Sequence, residues 1–328
     1  MYFLANFTFE YYTLQKIFLV LAALAFFIVS CKKKFQEPVP PEPDPPVNDT
    51  ANLKNYNKDI TIVNWNIEWF GSSTFNGNLD VQETNAGKIL KYLNADLYGI
   101  CEVVDTARFG RMIRNVLGDE YRYVISPYPT VAQKMAVVYN RHIFRKVKTR
   151  VFLGLSSSAR VSFAYGRFPF QMDADVVVNG ARHPVSVYLL HAKAGSDQNS
   201  YNSRFNGSNE MKDSLDLLAG KKFIIIGDFN DHLNGSITYG KPSPYKNFID
   251  DQARYFGVTY ALNVPGYKST INYENSVIDQ QVASSPFAIW YVSSSAKIRT
   301  DVKTVVSDFD KRNTSDHYPV SSQYRVTH

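Results

Sequence analysis

Short apolar runs recur along the chain from residue 59 onward and predict the strands of a sheet-rich domain. They are rich in β-branched and aromatic residues, a composition typical of strands buried on one or both faces. The predicted strands are residues 59–66, 97–101, 135–139, 176–178, 185–191, 223–226 and 287–292. Residues 223–226 (FIII) are apolar at every position, which indicates burial on both faces.

One segment has a helical period instead. Its apolar positions follow the i, i+3, i+4, i+7 spacing of an amphipathic helix: Ala86, Ile89, Leu90, Leu93 and Leu97. Asp80 and Glu83 precede them at the spacing of a capping box, with Asp80 as the cap. Residues 199–209 are rich in Asn and Ser and predict a loop near the site. Because strands outnumber helices, we expect an α/β (α+β) fold of mixed sheets with outer helices, not a doubly wound parallel sheet.

Residues 1–57 differ in composition from the rest and predict an export signal followed by a tether. Residues 17–30 are apolar or small and too short to span a membrane comfortably, as in a signal peptide. Residues 28–31 (IVSC) resemble the bacterial lipobox, which implies cleavage after residue 30 and a lipid on Cys31. A plain signal peptide or a signal anchor is the alternative. Six prolines between Pro38 and Pro46 predict that residues 31–57 form an extended tether.

This N-terminal organisation predicts an exported protein, lipid-anchored to a bacterial cell envelope at the outer membrane or cell surface, with a folded domain over residues 58–328. The whole chain is 45% hydrophobic and 14% aromatic, which excludes overall disorder. Its two cysteines, Cys31 and Cys101, provide no disulfide framework, and Cys101 lies in an apolar run typical of a buried thiol. We expect a monomer, and no protein partner follows from the sequence.

Polar residues follow the apolar runs at strand ends, where ligand sites are commonly built. They are Asn66, Glu102, His191, the pair Asp228 and Asn230 after FIIIG, and Asp316 and His317 in the later segment TSDHYPV. Some have simpler explanations, since Asn66 or Asn230 could be turn residues and His191 a core histidine. Glu102 is harder to explain this way, because an ionised carboxylate directly after a buried strand is costly unless it is paired or metal-bound.

Five of these residues are hard oxygen donors: Glu102, Asp228, Asp316, Asn66 and Asn230. Such donors select Mg²⁺, Mn²⁺ or Ca²⁺ over zinc, which favours His and Cys. Hydrolysis of phosphate esters needs a set of this kind, because a metal must neutralise phosphate charge while a water is positioned for attack. The formal net charge of +6 favours contact with polyanions, although many secreted proteins are basic without binding nucleic acid.

The order and local sequence of these segments resemble the endonuclease/exonuclease/phosphatase superfamily, which includes deoxyribonuclease I. The matching blocks are NWNIEWFG (64–71), GICEV (99–103), GRFP (166–169), LLHAKAG (189–195), IIGDFND (225–231), VIDQQVAS (277–284) and SDHYPV (315–320). They cover almost the whole predicted domain in the family order. The resemblance implies a four-layer αββα sandwich, two packed mixed sheets flanked by helices, and in-line attack of water on phosphorus with Mg²⁺ as cofactor.

The same resemblance assigns roles to the matching residues. Glu102 would be the principal metal ligand, with Asn66 and Asp316 completing the metal site. Asp228 and Asn230 would orient or deprotonate the attacking water. His317 would be the catalytic histidine, oriented by Asp279, while His191 and Arg167 would hold the scissile phosphate. Gln280 and Gln281 stand where many relatives have a histidine, and Tyr128 and Tyr139 are the candidates for the active-site tyrosine of some members.

Within this superfamily the sequence favours a nuclease acting on DNA or RNA. The alternatives are a phosphatase or a sphingomyelinase-type phospholipase of the same fold, and a non-catalytic binding domain is a third reading. The inositol-phosphatase branch typically has a basic residue soon after GDxN, where His232 stands here. A sphingomyelinase would need an exposed apolar hairpin, whereas residues 287–292 (FAIWYV) predict a strand.

Overall fold

The computed structural model describes residues 59–130, 133–164 and 166–327. The predicted signal segment, Cys31 and the tether lie outside these residues. Among the helices described, none has the length and apolar character that crossing a membrane requires.

The described residues form two six-stranded sheets with helices on their outer faces. The strands are β1 (Ile60–Phe70), β2 (Leu97–Val103), β3 (Tyr121–Ile125), β4 (Lys134–Asn140), β5 (Phe144–Val151), β6 (Phe170–Val178), β7 (Ala181–His191), β8 (Lys222–Asp228), β9 (Tyr255–Gly257), β10 (Asp279–Ser284), β11 (Lys297–Ile298) and β12 (Val320–Tyr324). The helices are α1 (Leu79–Leu93), α2 (Thr106–Leu117), α3 (Ser157–Ser162), α4 (Gln198–Asp216), α5 (Lys246–Asp250) and α6 (Ser285–Ala288), with 3₁₀ turns at Gly118–Glu120, Tyr260–Leu262 and Thr300–Thr304.

Both sheets are mixed. The first has the order β11-β12-β1-β2-β4-β3, and the second has the order β5-β6-β7-β8-β10-β9. Each contains one parallel pair, β1 with β2 and β7 with β8, while the other neighbours are antiparallel. The prediction of mixed rather than all-parallel sheets is confirmed.

The alternation of side chains along β1 shows how the layers are built. Ile60 and Ile62 face the core between the sheets, whereas Val63 and Trp65 face the core beneath the helices. The sheets approach each other closely at Gly99, where an added Cβ would lie 2.6 Å from Cδ1 of Ile226. A larger residue there would push the sheets apart and open the core between them.

Helices cover the outer face of each sheet. Ile89 of α1 and Phe109 of α2 pack on the first sheet, and Met211 and Leu215 of α4 pack on the second. The order of layers is therefore helix, sheet, sheet, helix. This confirms the four-layer αββα sandwich that the resemblance implied.

Several local predictions were wrong. The predicted loop 199–209 lies within α4, and residues 287–292 contain the end of α6 and a turn instead of a strand. Asn78, not Asp80, caps α1, because its Oδ1 accepts from the backbone N–H groups of Asp80 (2.9 Å) and Val81 (3.2 Å). Helix α1 also ends at Leu93, so that Leu97 begins β2.

The topology brings the predicted site residues to one end of the sandwich. His191 and Asp228 are register partners at the carboxyl ends of parallel β7 and β8. Asp279 lies opposite Asp228 on antiparallel β10. In the first sheet, parallel β1 and β2 place Asn66 beside Cys101, immediately before Glu102. Parallel strands end at the same edge and the antiparallel neighbour β10 begins there, so five residues that are far apart in the sequence lie close together in space.

Candidate functional site

Asn66 links the acidic side chains of the two sheets. Its Nδ2 donates to Glu102 Oε1 and to Asp228 Oδ2, both at 3.0 Å, and its Oδ1 accepts from the N–H of Glu68 at 3.0 Å. The side chain is buried, so these bonds form away from competing water. In this arrangement Asn66 holds the two carboxylates at a fixed separation.

The backbone is strained around these carboxylates. Glu68, Trp69, Glu102 and Asn230 have φ angles of 46°, 45°, 69° and 51°, in the left-handed region that non-glycine residues rarely adopt. Strain of this kind persists only where surrounding contacts fix it, and it is concentrated at functional sites. One such contact is the N–H of Trp69, which donates to Glu102 Oε2 at 3.0 Å.

Asp228 is a buried carboxyl group at the end of β8. Its Oδ1 accepts from the N–H of Asn230 at 2.9 Å, and Asn230 Nδ2 donates to the carbonyl of Ala192 at 3.2 Å. Burial, together with the charge of Asp279 and against that of His317, raises the pKa of Asp228 to about 7. A pKa near the working pH is what a general base requires.

His317 and Asp279 form an acid–histidine pair. Nδ1 of His317 lies 2.7 Å from Asp279 Oδ2, which also accepts from Ser269 Oγ at 2.7 Å. Burial alone would lower the pKa of His317, but the charge and hydrogen bond of Asp279 raise it well above its ordinary value. The imidazole is thus a cation whose Nδ1 donates to Asp279.

His191 and Arg167 lie together beside the acidic residues. Arg167 Nη1 is 2.8 Å from His191 Nε2, and Arg167 Nη2 donates to the carbonyl of Ala192 at 3.0 Å. Burial and the charge of Arg167 lower the pKa of His191 well below its ordinary value, so this histidine is neutral. Its Nε2 is 3.4 Å from Glu102 Oε1 and 3.7 Å from Asp228 Oδ2.

A cluster of carboxyl groups has no Lys or Arg counter-ion among the described residues. Burial and the nearby Asp316 and Glu102 carboxylates raise the pKa of Glu68 to about 9. Asp316 Oδ2 accepts from Asn272 Nδ2 at 2.8 Å, whereas its Oδ1 is buried without a hydrogen-bond partner. Within the part of the chain that the structure describes, no Lys or Arg ion-pairs with Glu68, Glu102, Asp228 or Asp316.

This donor set fits a divalent cation. Oxygen ligands that crowd one another and include an unsatisfied buried oxygen are stabilised when a metal neutralises them. Asp228, Asp279 and His317 also offer ligand atoms within 4.8 Å of one another. In that group His317 Nδ1 already donates to Asp279, and Glu68, Glu102 and Asp316 form a second set of candidate oxygen ligands.

The site residues predicted from the sequence therefore lie together in the structure, and the structure adds three residues that were not predicted. Asn66, Glu102, Asp228, Asn230, Asp279, His317, His191, Arg167 and Asp316 all lie at this one end of the sandwich. Glu68 was missed, although a carboxylate two residues after Asn66 on the same buried strand was a usable signal. Nothing in the sequence pattern pointed to Ser269 and Asn272, because they lie in a long loop and not at the end of an apolar strand. Tyr139 pairs with Leu97 at the opposite end of β2 from Glu102, whereas Tyr128 contacts Phe168 beside Arg167.

A family model for the endonuclease/exonuclease/phosphatase family matches residues 63–317, which include every one of these side chains. The chain belongs to this family. Its members are hydrolases that act on phosphoester bonds and are generally dependent on divalent metals. No sequence relative is found among curated proteins.

Solved structures share the family fold at low sequence identity. The endonuclease/exonuclease/phosphatase from Bacteroides vulgatus has a TM-score of 0.59 and 13% identity, covering 82% of this chain and 100% of its own. The human Nocturnin catalytic domain with bound sulfate has a TM-score of 0.57 and 15% identity, covering 82% of this chain and 95% of its own. D. rerio TDP2 complexed with a single-strand DNA product has a TM-score of 0.54 and 12% identity, covering 82% of this chain and 99% of its own. These similarities show the fold alone.

Proposed function

We propose that the protein is a divalent-metal-dependent phosphodiesterase, and specifically a nuclease that cleaves DNA or RNA. The observation that carries this proposal is the Asp279–His317 pair, joined at 2.7 Å, directly beside Asp228 and Asp316. The three elements are a cationic histidine, a base with a pKa near 7 and a metal-binding acidic cluster. Together they supply what hydrolysis of a phosphate ester requires.

Each residue has a distinct task in the proposed reaction. Glu102, Asp316 and Glu68 would hold Mg²⁺, with Mn²⁺ or Ca²⁺ as alternatives, and the ion would neutralise charge on the phosphate. Asn66, the third ligand predicted from the sequence, would instead hold Glu102 in place, because its Nδ2 donates to Glu102 and its Oδ1 already accepts from the N–H of Glu68. Asp228, with the amide of Asn230, positions a water and accepts its proton as the water oxygen attacks phosphorus.

The remaining residues act on the phosphate group. The imidazolium of His317 donates to a phosphate oxygen and stabilises the charge that develops there. Neutral His191 and cationic Arg167 bind the other oxygens. The bond from phosphorus to the leaving oxygen then breaks, and the leaving oxygen takes up a proton from solvent. No covalent enzyme intermediate forms.

The substrate class rests on charge and on one relative. The net charge of +6 favours a polyanion, and the related fold of D. rerio TDP2 has been solved with a single-strand DNA product. A phosphatase or phospholipase of the same fold is the competing function.

Substrate comparison tests the proposal. The purified protein is incubated with plasmid, single-stranded oligonucleotide, mono- and bis-phosphate esters and sphingomyelin, each in Mg²⁺ and in EDTA. We expect Mg²⁺-dependent cleavage of nucleic acid and of the bis-ester. Turnover of only the mono-ester or of sphingomyelin would replace the nuclease with the competing function, and no Mg²⁺-dependent turnover at all would contradict an enzyme.

We also propose that Cys31 carries a lipid and that the protein acts outside the cytoplasm as a monomer. The proposal rests on the lipobox resemblance at residues 28–31 and on the proline-rich tether that follows. Labelling with a fatty acid in a bacterial host should mark the wild type and not Cys31→Ser. If both forms are labelled equally, or neither is, Cys31 is not the anchor.

A further inference from the structure

Two aromatic rings are stacked at the rim of the acidic cluster. The ring centroids of Trp69 and Phe75 are 4.1 Å apart with an interplanar angle of 26°, and Phe75 is 53% exposed. Trp69 is also the residue whose N–H donates to Glu102. Trp69 of this stacked pair, called here the aromatic platform, therefore directly follows the proposed ligand Glu68 and is hydrogen-bonded to the proposed ligand Glu102.

Hydrogen bonds fix the aromatic platform relative to these ligands. Asn76 Nδ2 donates to the carbonyl of Trp69 at 2.6 Å, and the N–H of Ser72 donates to the same carbonyl at 2.9 Å. Gln82 of α1 donates to the carbonyl of Glu68 at 2.9 Å and accepts from the N–H of Gly71 at 3.0 Å. The loop is thus braced to the helix beneath it, yet it presents a large aromatic face to solvent.

Two exposed cations lie on the neighbouring loop. The N–H of Gly77 donates to the carbonyl of Arg312 at 3.1 Å, which joins the aromatic loop to the segment leading to Asp316 and His317. Lys311 and Arg312 are exposed, and neither forms an ion pair within the described residues. The surface next to the platform is therefore open to phosphate groups.

We propose that the aromatic platform binds an unpaired nucleobase adjacent to the scissile phosphate, while Lys311 and Arg312 contact the phosphates beyond it. The inference rests on the proposed nuclease function and names its preferred substrate as single-stranded nucleic acid. A base inside a duplex is covered on both faces by its neighbours, so only an unpaired base can stack on a protein ring. Free cations beside exposed aromatic rings are the usual combination in grooves that track a single strand.

Binding and cleavage are measured separately. Binding is followed by tryptophan fluorescence in a His317→Ala background with Mg²⁺, using a short single-stranded oligonucleotide and an abasic strand with the same backbone. Trp65 and Trp290 are buried, so quenching by a stacked base reports on Trp69. Cleavage of both strands is measured in the otherwise wild-type protein.

The variants are Phe75→Ala and the conservative Phe75→Tyr, which are tested in both assays, and Trp69→Phe, which removes the fluorescent reporter and is tested by cleavage alone. Phe256→Ala is the matched control, because Phe256 is 41% exposed and packs on another aromatic ring, Tyr291, at an edge strand away from the site. Stacking contributes about 1–3 kcal/mol per base, so Phe75→Ala should weaken binding of the ordinary strand by about 5- to 150-fold. It should change binding of the abasic strand by less than about twofold, and Phe75→Tyr should restore binding.

The outcomes separate this inference from the proposed function. Base-dependent quenching without cleavage would support the platform and contradict the nuclease. Cleavage that Phe75→Ala and Trp69→Phe leave unchanged on both strands would overturn the platform and leave the nuclease standing. Absence of both binding and cleavage would overturn both. Quenching by phospholipid vesicles and not by either strand would replace the nucleobase with a membrane surface.

Discussion

Two buried aspartates three residues apart have opposite surroundings. Asp231 is fully buried and ion-paired with Arg204, whose Nε lies 2.9 Å from Asp231 Oδ2. Ser236 Oγ and the N–H of Ile237 also donate to it, at 2.9 Å and 2.8 Å. Asp228 is 2% exposed, and it receives hydrogen bonds from Asn66 and Asn230 but no Lys or Arg within the described chain.

The difference separates a structural carboxylate from a chemical one. Arg204 compensates the charge of Asp231 and also donates to the carbonyls of Lys193 and Gly195, at 2.8 Å and 2.7 Å, so this pair ties α4 to the loops after β7 and β8. Asp228 has no Lys or Arg counter-ion in the described chain, and burial, opposed by the charge of His317, raises its pKa to about 7. A buried acid without a partner costs stability, and that cost is retained where a substrate or metal supplies the missing charge.

Replacing Asp228 should have the largest effect of the changes considered, and the loss should be of activity and not of stability. Asp228→Asn removes the base and should lower kcat by about 10²- to 10⁴-fold. Because the amide avoids the cost of burying a charge, the metal-free protein should be as stable as the wild type or more stable. Steady-state kinetics and thermal unfolding in EDTA measure the two effects.

His317→Ala should lower kcat over the same range, and it tests whether Asp228 acts alone. If either variant retains activity within about tenfold of the wild type, the assignment of this site is wrong. Loss of folding in Asp228→Asn would instead place Asp228 with the structural carboxylates.

Breaking the Arg204 pair should have the next largest effect, and on stability first. Arg204→Met leaves Asp231 buried without its counter-ion, which should lower the free energy of unfolding by about 3–5 kcal/mol. The double variant Arg204→Met/Asp231→Leu should recover much of that loss, because no charge remains buried. Denaturant unfolding provides the measurement.

The matched control is the exposed ion pair of Lys246 with Asp250. Lys246→Ala should change the free energy of unfolding by less than about 1 kcal/mol, since exposed pairs contribute little. An equal loss in Arg204→Met and Lys246→Ala would contradict the structural role of the buried pair.

The same contrast explains which parts of the molecule the sequence predicted. The strand ends could be predicted because an apolar run such as FIII stops abruptly at a polar residue. The topology of the sheets then brings those ends together. Helix α4 was missed because its buried face includes Ser200, Arg204 and Ser208, and polar residues there conceal the helical period. The half of the helix that packs around the ion pair therefore has no apolar stripe for a pattern to detect, and the apolar contacts come only later, at Met211 and Leu215.

Within the site, the sequence did not reveal interactions between residues that come from distant segments of the chain. Asp279 and His317 were assigned through the family resemblance, and only their separation of 2.7 Å shows that they interact. Glu68 was missed because its neighbours Asp316 and Glu102 come from distant segments, and their crowding appears only in the folded chain. The identity of the reactive side chains at strand ends is predictable from the sequence, whereas the electrostatic coupling between those side chains is not.

The smallest expected effect concerns Glu68, and it links metal binding to pH. The folded-state pKa values of Glu68 and Asp228 are raised to about 9 and about 7, from ordinary values of 4.5 and 3.8. Groups with raised folded pKa values stabilise the protein below their ordinary values, and this contribution is lost as pH rises through the folded ones. The metal-free protein should therefore lose stability between about pH 4 and pH 9.

Mg²⁺ should reverse this loss, and most strongly at high pH, because binding requires deprotonated carboxylates. Glu68→Gln removes one titrating ligand, so it should flatten the decline in Tm between about pH 7 and pH 9 in EDTA and weaken Mg²⁺ binding by about tenfold. Thermal unfolding with and without Mg²⁺ across this range gives both values. An unchanged pH profile together with unchanged Mg²⁺ affinity would remove Glu68 from the metal cluster, while Asp228 and His317 would keep their roles.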